Sequence, residues 1–220
     1  MSERPIVKPY GQYEKLRCFD LATAVYDGTV HFCARYIDKR SRTTDQMVQA
    51  ARSGKQNIAE GSMGSAVSKK SELKLIGVAR ASLAELLEDY KDYLRQNDLE
   101  LWAKDHPKAV FIRNLHRKNR SDQTDKTDPS DPTAKNPYSL YKPYVEEKSA
   151  ETAANTLVCL IHQACYLLDR LLIRLEKDFV EQGGIHEAMY RARTKHRTGQ
   201  TSLSDANDLT DRSNPTDPTD

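Results

Sequence analysis

Apolar residues recur at alternating steps of three and four along much of this chain, the spacing that lines side chains up on one face of an α-helix. Leu16, Phe19, Thr23, Tyr26, Val30, Cys33 and Ile37 predict a first helix over residues 13–39, in which Gly28 marks a close helix crossing. After a polar link, Met47, Ala51, Gly54 and Ile58 predict a second helix over 45–60, its stripe built from small residues. Thr44 or Asp45 is available to cap its free N–H groups, and Gly61 to stop it. Ser68 opens a third helix over 68–95, with a wide face of Leu73, Ile76, Ala79, Leu83, Leu86, Leu87, Tyr90 and Leu94. A last long helix, 148–182, carries Leu157, Leu160, Ile161, Ala164, Leu168, Leu171, Leu175 and Phe179, and Gly183 and Gly184 end it. Each stripe must be covered by others, so the expected fold is all-α: an antiparallel up-down four-helix bundle over residues 10–182.

The pattern is broken by an insertion, 96–147, in which 99–104 and 107–118 read as short helices whose Trp102, Val110 and Ile112 cover one end of the bundle. Beyond the glycine pair, region 183–198 reads as a short basic helix. Two segments have no helical pattern at all. Asp122, Asp125, Asp128 and Asp131 recur every third residue, as do Asp205, Asp208, Asp211, Asp217 and Asp220, between Thr, Ser and Pro. Such stretches cannot bury enough apolar surface to offset ordering entropy, so 121–135 and 199–220 are expected to be disordered.

Charge changes the picture modestly. The net charge is +2, but residues 205–220 hold five Asp and one Arg, which leaves +6 on the rest and favours a polyanionic partner. No run approaches the roughly 20 apolar residues of a membrane helix, and the N-terminal stretch lacks a signal peptide's apolar centre, so a cytoplasmic location without membrane contact is expected. Cys18, Cys33, Cys159 and Cys165 lie inside helical patterns and read as buried hydrophobes in a reducing compartment.

Few residues suggest chemistry. Cys159, His162 and Cys165 are three soft ligands on one helix, but a fourth at a recognisable spacing is missing, so core cysteines beside an edge histidine are the simpler reading and no metal is expected. No nucleophile elbow and no phosphate-binding glycine loop is present, so neither a catalytic residue nor a cofactor is expected. Asn57, Glu60, Arg80, Ser82 and Glu85 lie at or beside the packing stripes and are expected to form a polar network that fixes helix register. Lys69 and Lys70, with Ser65, Ser68 and Ser71, surround the start of the third helix, where a phosphate could dock, although capping by Ser68 explains the same residues. Further basic runs comprise Arg113, Arg117 and Lys118, and Arg191, Arg193, Lys195 and Arg197; neither is interleaved with aromatic residues for base stacking.

Ala51-Arg52-Ser53-Gly54-Lys55-Gln56-Asn57-Ile58-Ala59-Glu60-Gly61 resembles the A-x-S-x-x-x-N-I-A-E-G signature of the four-helix-bundle proteins first known from 23S rRNA intervening sequences. Ile76 to Leu86 is similar to that family's Ala-Arg-Gly-Ser-x-x-Glu-Leu pattern, with Ala81 in place of the usual glycine and Gly54-Lys55 in place of a common Ile-Pro. Leu101-Trp102, Asn155-Thr156-Leu157, Leu160 to Ala164, Leu167 to Arg170 and Gly183-Gly184 resemble the subgroup with an extended C-terminal portion, the suffix domain. The family includes the accessory variability determinant of diversity-generating retroelements. That resemblance implies a homo-oligomer, a pentamer in the retroelement case, RNA or DNA as a partner, a reverse transcriptase as a second, and no active site. The rival expectation is a protein-interaction module that binds no nucleic acid.

Overall fold

A computed structural model describes residues 12–65, 68–122, 136–183 and positions 187, 189–191, 193–194 and 197; of residues 116–122 and 182 it describes the backbone alone. Among the described residues every regular element is helical. After a 3-10 turn at Tyr13–Lys15 come α1 (Arg17–Tyr36), α2 (Arg42–Gly64), α3 (Lys69–Gln96), α4 (Pro107–Asp122), α5 (Lys142–Glu146) and α6 (Ala150–Gln182). Serine hydroxyls accept a backbone N–H at the start of three long helices: Ser41 from Thr43, Ser68 from Ser71, and Ser149 from Thr152, at 3.2, 3.2 and 3.3 Å. Each satisfies one of the free donors at a helix start. Gly183 closes α6 with φ 69°, a backbone shape glycine adopts without strain.

The expected boundaries of α3 and α6 hold to within two residues, and those of α1 and α2 need correction. Leu16 and Ile37 have extended backbones that break the hydrogen-bond ladder, so α1 is shorter than 13–39. Ser41, not Thr44 or Asp45, caps α2, which therefore starts earlier and runs past Gly61 to Gly64. Gly61 is a packing position instead of a stop: a methyl group there would meet Leu75 Cβ at 3.3 Å.

The apolar face of α1 is also rotated from its expected position. Cys18, Leu21, Val25, Thr29 and Phe32 enter the core, as does Cys33 of the expected stripe, whereas Val30 is 41% exposed and Leu16, Phe19, Thr23, Tyr26 and Ile37 are half-buried at the flank. Both sets obey helical spacing; the inner one wins because Phe32 packs edge-on against Tyr90 and Tyr93, with centroids at 5.0 and 4.8 Å. Thr29 completes the contact, accepting a hydrogen bond from Tyr90 Oη at 3.0 Å and donating to the Val25 carbonyl.

Helices α1, α2, α3 and α6 pack in cyclic order around one core, and α4 and α5 lie against α6. Lys55 of α2 sits over the Tyr26 ring of α1 at 4.9 Å, and Cys33 lies 3.9 Å from Met47. Gly54 admits Leu83 of α3, and Gly28 admits Leu157 of α6; an added Cβ would lie 2.7 and 2.6 Å from their Cδ2 atoms. By length and composition α6, from Ala150 to Glu181, is apolar enough to cross a membrane, but half of that apolar window is buried inside the protein, as in a core helix.

In the insertion, 107–118 is helical as expected and continues to Asp122, so the first Asp repeat begins inside α4. Residues 99–104 form no helix. Asn155, fully buried, accepts the Trp102 N–H at 2.8 Å and donates to the Glu100 carbonyl at 2.7 Å, which ties that backbone to α6 and denies it a helical ladder. Trp102 and Ile112 are buried, as expected, but Val110 is exposed and Ala109 takes the inward position. The short α5 is held to α1 from outside: Tyr36 Oη donates to the Lys148 carbonyl at 2.9 Å, Arg35 donates to that of Glu146, and His31 meets the Glu146 carboxylate at 3.0 Å.

Candidate nucleic-acid interface

The expected polar network is smaller than five residues. Asn57 Nδ2 donates to the Ser53 carbonyl and hydroxyl at 2.9 and 3.1 Å, and the Ser53 and Ser82 hydroxyls meet at 2.9 Å, joining α2 to α3. Glu60 and Glu85 are exposed and stand outside it. Arg80 turns the other way, because two residues of helix rotate a side chain by about 200° relative to Ser82. Its Nε donates to Asp169 Oδ1 of α6 at 2.9 Å.

That rotation places Arg80 on the α3–α6 seam, where further cations gather. The His162 imidazole is held below its ordinary value by partial burial first and then by the positive charges of Lys91, Arg80 and Arg113, with Glu88 opposing them. Lys91 and Glu88 belong to α3 and Arg113 to α4, so charges of both signs from two other helices act on His162. Arg113 donates to the Lys104 backbone carbonyl, a neutral acceptor. Lys91 pairs with Glu88 at 2.7 Å, within one helix and at the surface. Exposed pairs of this kind contribute about 0–1 kcal/mol, so a phosphate can displace the carboxylates cheaply.

The outer face of α6 continues this neighbourhood. Asn155 and Cys159 are buried where the 99–122 segment crosses α6, whereas His162, Tyr166, Asp169, Arg170 and Ile173 emerge into solvent along the same face. Arg170 Nη1 lies 3.4 Å from Tyr166 Oη. Tyr166, Lys91 and Arg170 were not singled out from the sequence. The signal that marks the α6 residues is the polar spacing 162, 166, 169, 170, opposite the buried stripe of the same helix.

The other basic residues are dispersed. Lys69 pairs with Glu72 at 2.8 Å, Ser68 caps the helix, and Lys70 is exposed, so the start of α3 is occupied by its own capping and ion pair. It also lies far from Lys91, since 22 helical residues rise about 33 Å. Arg117 and Lys118 belong to α4 by backbone. Arg191, Arg193 and Arg197 are exposed on helical backbone, and Lys195 falls outside the described residues. So do residues 123–135 and 199–220 of the Asp-rich segments.

No family model, curated protein or solved structure matches this chain.

The cysteines are spent on packing. All four are buried and unpaired, and burial pushes the Cys33 thiol up to about 12 and those of Cys18 and Cys159 to about 11. Thiols so far from ionisation are poor nucleophiles and poor metal ligands at neutral pH. No group of three or more metal-ligating side chains occurs among the described residues.

Proposed function

We propose that α1, α2, α3 and α6 form an antiparallel up-down bundle of the intervening-sequence type, in a non-enzymatic, cytoplasmic accessory protein that self-associates and binds RNA or DNA. The contact registers support the topology. Tyr26 meets Lys55 while Cys33 meets Met47; Ser53 meets Ser82 while Gly61 meets Leu75; Gly28 meets Leu157 while Tyr36 meets Lys148. In each pair the residue numbers run in opposite senses, as the short α1–α2 and α2–α3 links require and as an up-down bundle implies for α1 and α6. The motif resemblance supports the family reading.

The binding reading is carried by the gathering of Arg80, Lys91 and Arg113 around His162. Like charges brought together on a partly desolvated surface repel one another, and a polyanion relieves that repulsion while releasing its own counterions. A gel-shift titration of the full chain over salt tests it: affinity should fall linearly on logarithmic axes, and charge reversal at Arg113 and Lys91 should flatten the slope. An unshifted probe even at low ionic strength ends this reading.

One observation favours a second reading, a protein-interaction module. Ile173 and Val180, seven residues apart on α6, are 68% and 78% exposed. Under that reading, affinity capture recovers one protein whether or not nuclease is added.

A further inference from the structure

The solvent face of α3 is sorted by charge along its length. Lys70 and Lys74 are exposed towards its start, Val78 and Ala81 at its centre, and Glu85, Glu88 and Asp92 beyond them. The residues on either side of Ala81 turn to other helices, Arg80 to Asp169 of α6 and Ser82 to Ser53 of α2, so Ala81 points outward between them. The order of charges is contrary to what a lone helix favours, since carboxylates stabilise its N-terminal end and cations its C-terminal end. Glu88 and Asp92 pair with Lys91 and Arg95 of the same helix, but Lys70, Lys74 and Glu85 form no ion pair among the described residues. Asp89, at the edge of this face, has its carboxyl raised by burial first and then by the charges of Asp92 and Glu85.

The centre of the face is equally unused within the chain. Gly28, Gly54 and Gly61 each lie against a side chain of another helix, whereas a methyl group added at Gly77 would meet nothing within 4 Å. Glycine inside a helix lowers its stability relative to alanine, and at this position no neighbour takes up the space it leaves. Val78, beside it, is 40% exposed.

We propose that two copies of this chain meet on this face, α3 against α3 and antiparallel, across a twofold axis that passes between Val78 and Ala81. The surface rests on the self-association in the reading above and gives it a location and a symmetry. Lys74 stands four residues before Val78 and Glu85 four after Ala81, so the axis sets each Lys74 opposite the other copy's Glu85. Lys70, eight before Val78, falls likewise beside the other copy's Glu88, seven after Ala81. A twofold contact makes each of these pairings twice, and cations meet carboxylates in all of them. Parallel pairing in register would set lysine against lysine and glutamate against glutamate. Gly77 and Ala81 at the crossing let the two backbones come close, because the side chains at a contact set the distance between helix axes.

Sedimentation equilibrium of the nuclease-treated full chain, alone and in charge-reversed forms, tests the pairing. The unmodified chain is expected to dimerise. Lys74→Glu and Glu85→Lys should each weaken the dimer by about tenfold or more, because one reversal strikes both symmetry-related pairs. Both positions are exposed, so helix content by circular dichroism should stay unchanged. Mixing the two variants should restore association, since the mixed dimer sets glutamate 74 of one copy against glutamate-free lysine 85 of the other and keeps the second pair native. The double variant Lys74→Glu/Glu85→Lys should recover it as well. An oligomer that survives both reversals undiminished would overturn this face while leaving self-association intact. Weakening without recovery, in the mixture and in the double variant alike, would overturn the antiparallel pairing. A chain that is monomeric at every concentration would instead remove the self-association reading and this surface with it.

Discussion

Two side chains carry most of the residue-scale consequences. Tyr141 is buried with a hydroxyl that has no hydrogen-bond partner among the described residues, and burial pushes that phenol up to about 12. A polar group desolvated without compensation costs stability, so Tyr141→Phe should gain about 1 kcal/mol, seen as a higher urea midpoint at unchanged slope. A loss would mean that the hydroxyl is satisfied after all. His162 titrates in the opposite spirit. Because its folded value lies below the ordinary 6.5, the unfolded chain takes up the proton first, and its contribution to stability, full above 6.5, is lost as the pH falls through the lowered value. His162→Gln should flatten that acid limb in denaturation curves taken from pH 7 downwards. A bound polyanion favours the imidazolium, so nucleic-acid affinity should rise over the same interval in which stability falls, and the substitution should remove both trends together.

At the scale of elements, glycine positions separate packing from propensity. Gly54 lies against Leu83, with an added Cβ 2.7 Å from Cδ2 and 2.8 Å from Cγ of a side chain that is itself fully buried; Gly77, one helix over, has nothing within 4 Å. Gly54→Ala should cost about 1–3 kcal/mol through overpacking, whereas Gly77→Ala should gain up to about 1 kcal/mol from helix propensity. Thermal unfolding of the two variants checks the sign of each, and a gain at Gly54 would contradict the close α2–α3 contact. How far the elements were legible follows the same physics. The faces of α2 and α3 each hold one apolar stripe whose buried residues were readable from spacing, whereas α6 is buried on every side from Ala153 to Ile161 and its expected Phe179 is exposed. Helix α1 holds two overlapping stripes, and the choice between them was made by Tyr90 and Tyr93 from another helix. Non-local partners likewise decided 99–104, unwound by Asn155, and α5, a five-residue helix held by α1. Local sequence carries no record of such partners.

For the whole molecule, the proposed interface is a product of topology. Arg113 was visible as part of a basic run, but Arg80 reaches Asp169 across 89 residues, and no spacing rule connects α3, α4 and the exposed turn of α6. Charge totals alone pointed to a polyanion without saying where it would lie; the proposed location depends on α3 and the 99–122 segment packing against α6. The C-terminal arginines 191, 193 and 197 are the competing location, exposed and equally basic. Photocross-linking of the full chain to a single-stranded RNA carrying 4-thiouridine, followed by mass spectrometry of the peptides, distinguishes the two directly. The account predicts adducts on α6 between 162 and 170 and on α4 near Arg113. Adducts confined to 187–197, with none on α6 or α4, would contradict it.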